Sequence, residues 1–306
     1  MKRRLLFSTL VAALWPVMPL AASAQERPEE VSLEQAKANF ARPVVLADDD
    51  VPLFPVPPAD YRVLPTEGRR GRMELFEYDS AVTGTRRKAQ VYLPPAYSPE
   101  KKYPVLYLLH GIGGNEYEWS GYVKADAIID KLIVAGLAKP MIVVMPNGRA
   151  LADDRPGENP FVPEKALGFA RFERDLLDSL IPAVQAKYAT YSEREQRGLA
   201  GLSMGGGQAL NFGLGHLETF AWVGGFSAAP NTLPPEKLVP DAVAARSQLK
   251  LLLIACGNQD GLINVSQGVH RFLKAQQVPH LWHVDAHGHD AEAWGVYLYH
   301  FAQRIF

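Results

Sequence analysis

The chain has 306 residues, long enough to bury a sizeable core, and its 47% hydrophobic and 21% charged residues are usual for a globular protein. Its formal net charge of −1 comes from 33 acidic and 32 basic residues scattered along the chain. No basic block indicates a nucleic-acid partner, and no acidic tail indicates a long solvating segment.

The first 24 residues have the three-part pattern of a secretory signal peptide. Residues 2–4 are basic, residues 5–20 are mainly apolar, and residues 22–24 read Ala-Ser-Ala, which suits a signal peptidase. Two prolines interrupt the apolar stretch, which is also short for a membrane span, so we favour a cleaved signal over an anchor. We therefore expect cleavage after Ala24 and a periplasmic or secreted protein without a membrane segment.

The next segment, residues 25–65, predicts an N-terminal extension, and residues 66–306 predict one folded domain. The extension is rich in proline and contains three consecutive aspartates at residues 48–50. Such a composition favours a segment that lies extended over the surface or stays partly disordered.

Short apolar runs alternate with helical stretches through the predicted domain. The first two strands are alternating runs that suit an antiparallel pair, and the later strands are continuous apolar runs that suit a sheet buried on both faces. The predicted strands are residues 72–78, 88–93, 105–109, 141–145, 199–202, 221–225, 251–256 and 281–285. The predicted helices are residues 122–137, 169–186, 204–214, 262–276 and 291–304. This order predicts an α/β fold with a mostly parallel sheet, in which functional residues gather at the carboxyl ends of the strands.

A serine lies at one of these strand ends. Residues 201–205 read Gly-Leu-Ser-Met-Gly, the G-x-S-x-G pattern of a nucleophile elbow, between a predicted strand and a predicted helix. Glycines on either side allow the close backbone approach that such a turn needs, and the helix N-terminus supplies unpaired N–H groups. We interpret Ser203 as a nucleophile in an α/β-hydrolase fold. A glycine-rich helix entry without chemistry is the alternative, because two more glycines extend the run.

A serine nucleophile needs a base and an orienting acid, which in this fold follow it in the order acid, then histidine. Asp260 and His289 meet that order, each just past a predicted strand. Asp285 and Asp290 are rival carboxylates, but one ends the strand before the histidine and the other is its chain neighbour, so we favour Asp260. By spacing alone, His287 and His289 both remain candidates for the base.

An oxyanion hole requires two backbone N–H groups aimed at the developing negative charge. The residue after the nucleophile, Met204, is expected to supply one. The loop at residues 110–114, His-Gly-Ile-Gly-Gly, resembles the glycine-rich loop that supplies the second, and we favour the Ile112 N–H. His110 is interpreted as a residue that packs this loop.

No metal or cofactor is expected. The single cysteine, Cys256, allows no internal disulfide and follows an apolar run, which predicts a buried thiol. His287 and His289 could bind zinc only with further ligands, and none is recognisable. Neither a P-loop nor a dinucleotide-binding fingerprint follows an early strand.

These segments together resemble the esterase D / carbohydrate esterase family 1 group, and within it the bacterial feruloyl esterases. The resemblance rests on residues 103–114, 201–207, 227–232, 255–257 with Asp260, and 288–290 with Trp294. It implies a Ser203–His289–Asp260 triad, and so favours His289 over His287. It also implies hydrolysis of hydroxycinnamoyl esters on plant cell-wall sugars, with a small-molecule or oligosaccharide ester as the partner.

Two departures from that family and several alternatives bear on the substrate. The family's usual Gly-Gly-His-Asp begins with His287 here, and no xylanase or carbohydrate-binding domain is recognisable, so feruloylated oligosaccharides are the expected substrates rather than polymer. The group also includes acetylxylan esterases, siderophore esterases, S-formylglutathione hydrolases and mycolyltransferases, and the signal pattern disfavours a cytosolic glutathione ester. An acyltransferase or a non-catalytic carbohydrate binder would use the same scaffold. Trp294 is a candidate for the wall of the acyl pocket, with a core position as the alternative.

Overall fold

The computed structural model describes residues 34, 38, 40–64 and 70–306. The expected signal peptide and the first part of the extension lie outside these residues. No helix in the described part of the chain is long and apolar enough to cross a membrane.

The centre of the molecule is an eight-stranded sheet in the order β1-β2-β4-β3-β5-β6-β7-β8. Strand β2 is antiparallel to both of its neighbours, β1 and β4, and the remaining pairs are parallel. Strands β3, β4 and β5 are buried along their whole length, as their apolar sequences predicted. The strands are β1 Arg72–Asp79, β2 Arg86–Leu93, β3 Val105–Leu109, β4 Ile142–Pro146, β5 Arg197–Leu202, β6 Trp222–Phe226, β7 Leu251–Gly257 and β8 Leu281–Asp285.

Helices cover both faces of the sheet, which confirms the predicted α/β-hydrolase architecture. Helices α1 and α8 pack on one face, and α2 to α7 pack on the other. The helices are α1 Ala125–Val134, α2 Pro163–Asp175, α3 Ile181–Lys187, α4 Met204–Gly215, α5 Pro235–Leu238, α6 Ala242–Gln248, α7 Ile263–Ala275 and α8 Ala291–Ala302.

Two predicted helices are interrupted. The first begins as a π-helical turn at Glu118–Val123 and continues as α1 only after Lys124, whose φ of 68° breaks the regular backbone. The second contains a π-helical turn, Leu176–Leu180, between α2 and α3. Pro182 lies at the start of α3 and has no N–H to donate, so an unbroken hydrogen-bond ladder cannot pass through it.

Residues 40–64, here called the N-terminal strap, lie against β8, α7 and α8. The carboxylate of Asp50 is buried and accepts hydrogen bonds from the Trp282 indole N–H at 2.9 Å, the Gln267 amide at 2.6 Å and the Ala47 N–H at 2.7 Å. The Val284 N–H donates to the Val51 carbonyl at 3.1 Å. A single carboxylate therefore joins the strap to both a strand and a helix of the body.

Two buried histidines hold the middle of the strap. His283 Nδ1 accepts the Leu53 N–H at 3.0 Å, and His300 Nε2 donates to the Pro55 carbonyl at 3.0 Å. Burial lowers the pKa of His300 to about 4, so this ring is neutral near pH 7. Phe54 stacks on the His300 ring and lies under the Arg304 guanidinium, whose carbon is 4.2 Å from the ring centroid.

We expect Asp50→Ala to lower the free energy of unfolding by about 2–3 kcal/mol, because it removes the acceptor of three donors in a buried place. Asp48→Ala is the matched control, since Asp48 belongs to the same acidic run but is exposed, and its effect should stay within about 0.5 kcal/mol. Urea denaturation of both variants measures the difference. Equal effects of the two substitutions would contradict the anchoring role of Asp50.

Candidate active site

Ser203 occupies the tight turn between β5 and α4. Its φ of 54° and ψ of −120° place it in a region that non-glycine residues rarely adopt. The turn brings backbone atoms of β3, β5 and α4 close together on either side of the serine. A Cβ on Gly201 would lie 2.1 Å from the Gly205 carbonyl oxygen, and a Cβ on Gly205 would lie 2.3 Å from the Leu109 carbonyl oxygen. Only glycine fits at these two positions of the G-x-S-x-G pattern.

Ser203, His289 and Asp260 form one hydrogen-bonded series. Ser203 Oγ lies 2.9 Å from His289 Nε2, and His289 Nδ1 lies 2.8 Å from Asp260 Oδ2. A carboxylate accepts only, so Nδ1 carries the hydrogen towards Asp260 and the lone pair of Nε2 faces the serine hydroxyl. The structure thus brings together the three residues that the sequence singled out.

Asp260 is fully buried after β7 and remains ionised. Burial acts to raise its pKa, but the hydrogen bonds that it accepts, first that from His289 and then that from the Leu262 N–H, favour the ionised form, and its pKa lies below the usual range. Its second oxygen accepts the Leu262 N–H at 2.9 Å. The carboxylate is therefore held in one orientation by the backbone on one side while it orients the imidazole on the other.

The rival acid and base candidates have other partners. His287 Nδ1 lies 2.7 Å from Asp285 Oδ2, and the second oxygen of Asp285 accepts the Tyr297 hydroxyl at 2.9 Å. Asp290 caps helix α8, because its side chain accepts the Ala293 N–H at 3.0 Å. None of these side chains hydrogen-bonds to Ser203 within the described residues.

The loop after β3 lies beside the serine turn, because a Cβ on Gly111 would lie 3.3 Å from Ser203 Cβ. The Gly111 carbonyl, in the same planar peptide group, accepts a hydrogen bond from His110 Nδ1 at 2.6 Å and another from the Gly114 N–H at 3.1 Å. Because the peptide is planar and trans, fixing this carbonyl fixes the Ile112 N–H on the opposite side. Neither Ile112 nor Met204 donates its N–H to a partner in the described part of the chain.

His110 holds this loop as a neutral residue. Its Nε2 accepts the Gly148 N–H at 2.7 Å while Nδ1 donates to the Gly111 carbonyl, which defines the tautomer. The side chain is fully buried, and burial lowers its pKa to about 4. The expected role of His110 in packing the loop agrees with these contacts.

Two charged residues support the same loop and were missed from the sequence. Glu118 accepts the Gly111 N–H at 2.7 Å, and its burial raises the pKa of its carboxyl group. The buried Arg149 guanidinium donates to the Ile112 carbonyl and stacks on Phe169 at 5.1 Å. Neither residue belongs to a recognisable motif, and the contacts join segments that are distant along the chain.

Trp294 is nearly buried, with 5% of its surface exposed, and still touches the site. Its ring stands perpendicular to the His289 imidazole, with the centroids 5.1 Å apart, and its indole N–H has no hydrogen-bond partner within the described residues.

Cys256 is fully buried, as predicted, and burial raises its pKa well above the usual value. No cluster of side chains that could hold a metal ion occurs among the described residues.

Comparison with known proteins places these features in a family. A family model described as putative esterase matches residues 80–298. An endo-1,4-beta-xylanase/feruloyl esterase from Xylanibacter ruminicola is 32% identical over 221 residues, covering 71% of this chain and 29% of that protein. Endo-1,4-beta-xylanase Y from Acetivibrio thermocellus is 35% identical over 150 residues, covering 44% of this chain and 12% of that protein. The chain therefore spans less than a third of the length of these curated relatives.

Solved structures give the same picture. A CE1 ferulic acid esterase from Anaeromyces mucronatus, in complex with ferulic acid, has a TM-score of 0.73 and 28% identity, covering 81% of this chain and 96% of that chain. An S-formylglutathione hydrolase from Staphylococcus aureus has a TM-score of 0.62 at 21% identity and covers 78% of this chain and 96% of that chain, which is evidence for a shared fold. With a family model matched over more than half of its length, and with the serine turn inside that match, the chain belongs to the putative esterase family.

Proposed function

We propose that this protein is a serine carboxylesterase, and specifically a feruloyl esterase that acts on feruloylated sugars of the plant cell wall. The observation that carries the proposal is the series from Ser203 Oγ through His289 to Asp260, at 2.9 and 2.8 Å. Such a series activates a hydroxyl group that is otherwise a weak nucleophile. The N–H groups of Ile112 and Met204, which donate to no partner among the described residues, suit an acyl-transfer transition state.

In the first half of the reaction, Ser203 Oγ attacks the ester carbonyl carbon as its proton passes to His289 Nε2. The carbonyl oxygen becomes an oxyanion, which the N–H groups of Ile112 and Met204 bind. When the tetrahedral intermediate collapses, the bond to the alcohol oxygen breaks and His289 donates its proton to that oxygen. The alcohol leaves, and the acyl group stays on Ser203.

In the second half, water replaces the alcohol. His289 accepts a proton from the water, whose oxygen attacks the acyl carbon, and a second oxyanion forms in the same place. The bond to Ser203 Oγ breaks, the serine regains a proton from His289, and the carboxylic acid is released. Asp260 stays ionised throughout and stabilises the imidazolium that forms in each half.

The feruloyl specificity is supported by similarity to proteins described as feruloyl or ferulic acid esterases. Trp294 beside His289 is proposed to form part of the wall around the substrate. Export by a cleaved signal peptide, to the periplasm or outside the cell, fits a substrate derived from plant cell walls. Acetylxylan esterase, siderophore esterase and acyltransferase activity on the same site are the alternatives.

Ser203→Ala should lower turnover of a carboxylic ester by about four orders of magnitude or more, because the nucleophile is lost. The variant should also fail to react with a fluorophosphonate probe, as seen by gel fluorescence. Ser247→Ala is the control, since that exposed hydroxyl lies on α6 and donates to carbonyl oxygens of its own helix. Labelling of Ser203→Ala as strong as that of the parent would exclude Ser203 as the nucleophile.

The two neighbouring histidines provide an internal control for the base. We expect His289→Ala to reduce kcat by about four orders of magnitude and His287→Ala to change it by less than about fivefold. His287 pairs with Asp285 and not with the serine, so its loss leaves the proposed proton path in place. Steady-state kinetics on one ester measures both variants, and the reverse order of effects would assign the base to His287.

A substrate panel tests the acyl specificity. If the acyl site suits an aromatic acid, kcat/KM for methyl ferulate should exceed that for acetate release from acetylated xylan by about tenfold or more. A siderophore ester and a sugar acceptor complete the panel, with products identified by chromatography. Preference for acetylated xylan, or transfer of the acyl group to the sugar in place of hydrolysis, would reject the feruloyl esterase assignment and leave the nucleophile unaffected.

A further inference from the structure

The N-terminal strap reaches the active site at Phe40. The Phe40 ring stands edge-on to the His289 imidazole, with the ring centroids 5.0 Å apart and an interplanar angle of 69°. Its backbone lies against the turn that carries the acid of the triad: a Cβ on Gly261 would lie 2.0 Å from the Phe40 carbonyl oxygen. Phe40 keeps 39% of its surface exposed, so a ligand can reach this residue.

The strap is held in place at both of its ends. Near Phe40, the Gln267 amide donates to the Val45 carbonyl at 2.9 Å. At the other end, the Arg62 guanidinium donates to the carbonyls of Val123 at 3.1 Å and Tyr122 at 2.9 Å, in the π-helical turn that also contains Glu118. The position of Phe40 is therefore set by the folded body and not by the strap alone.

Phe40 lies outside the part of the chain that the esterase family model matches, which begins at residue 80. The serine, the acid, the base and both proposed oxyanion donors all lie inside it. This side chain therefore lies outside the matched residues and still packs against one catalytic group. Its position beside His289 is one from which it can contact a ligand that binds next to the imidazole.

The proposed mechanism identifies which part of the substrate lies next to His289. His289 Nε2 must donate a proton to the alcohol oxygen, so the alcohol portion of the ester lies next to the imidazole during acylation. A sugar presents C–H groups on the faces of its ring, and an aromatic side chain offers a large apolar surface to them. A phenylalanine packed on this histidine therefore has the position and the chemistry to contact a sugar leaving group.

We propose that Phe40 binds the sugar alcohol of the ester and sets the preference of the enzyme for sugar esters over esters of small alcohols. This inference rests on the proposed esterase function and adds a leaving-group subsite to it. The exposed Tyr122, whose ring centroid lies 6.2 Å from that of Trp294, is close enough to the same region to border the subsite.

Two esters with one acyl group and different alcohols isolate this role. The substrates are methyl ferulate and an arabinose oligosaccharide carrying a feruloyl ester, and the full chain is compared with Phe40→Ala. The parameter is kcat/KM, which reports the steps up to release of the alcohol. We expect kcat/KM for the sugar ester to fall by about tenfold, as loss of an aromatic contact would cause, and kcat/KM for methyl ferulate to change by less than about twofold.

Two further variants serve as controls. Phe40→Tyr keeps the ring and should retain the parent's ratio of the two kcat/KM values. Leu46→Ala removes an exposed apolar side chain elsewhere on the strap and should leave both values unchanged. Thermal unfolding of each variant shows whether the strap remains docked.

The outcomes separate this inference from the function on which it rests. An equal loss for both esters would assign Phe40 to holding His289 or the acyl group, and would overturn the proposal, as would no loss for either ester. A loss confined to the sugar ester supports it. Failure of the parent chain to hydrolyse any feruloyl ester would instead reject the proposed function, and the subsite with it.

Discussion

The backbone of Ser203 is the constraint on which the rest of the site depends. A φ of 54° at a residue with a side chain is costly, and it persists because the surroundings hold it. The Ser203 N–H donates to the Phe226 carbonyl at 2.9 Å, and the Ser203 carbonyl accepts from the Ala229 N–H at 3.1 Å. The serine is thus tied to the end of the neighbouring strand β6, and its hydroxyl hydrogen-bonds with His289, which follows β8.

The strand order of the sheet then brings the other two triad residues, Asp260 and His289, close to Ser203. Strands β7 and β8 follow β6 in parallel, so the turns after them lie at the same edge as the serine. Asp260 follows β7 and His289 follows β8, at increasing distance across the sheet. The regular order of the strands therefore brings Ser203 and His289 together, although they are 86 positions apart in the chain. Only the short turns after the strands are specific to the catalytic site.

The charged and polar side chains around the site form hydrogen bonds with fixed protein groups. Asp260 is ionised and held by a backbone N–H, and His110 is neutral in a defined tautomer. Glu118 and Arg149 hold opposite ends of the Gly111–Ile112 segment, one through an N–H and the other through a carbonyl. Dipoles fixed in this way need no reorganisation when an oxyanion forms, which is the usual source of catalytic electrostatics.

Much of this arrangement could be predicted because its signals are local. Continuous apolar runs revealed the parallel strands, and glycines around Ser203 revealed the turn. Spacing could not separate His287 from His289, since both follow the same strand, and the separation became visible only with Asp285 in contact with His287. Glu118, Arg149 and Phe40 were missed because each acts across a distance in the chain that no local pattern encodes. The short helices α5 and α6 also carried no periodic signal long enough to recognise.

Strand β1 belongs to the central sheet although the family model does not match it. Strand β1 covers the outer edge of β2 along eight paired residues, yet it lies entirely before residue 80. A shorter chain beginning at that residue would keep every proposed catalytic group and leave the backbone of β2 open to a strand from another molecule. Such bare edges promote association between copies. By pairing with β2, strand β1 thus protects that edge of the sheet from such association.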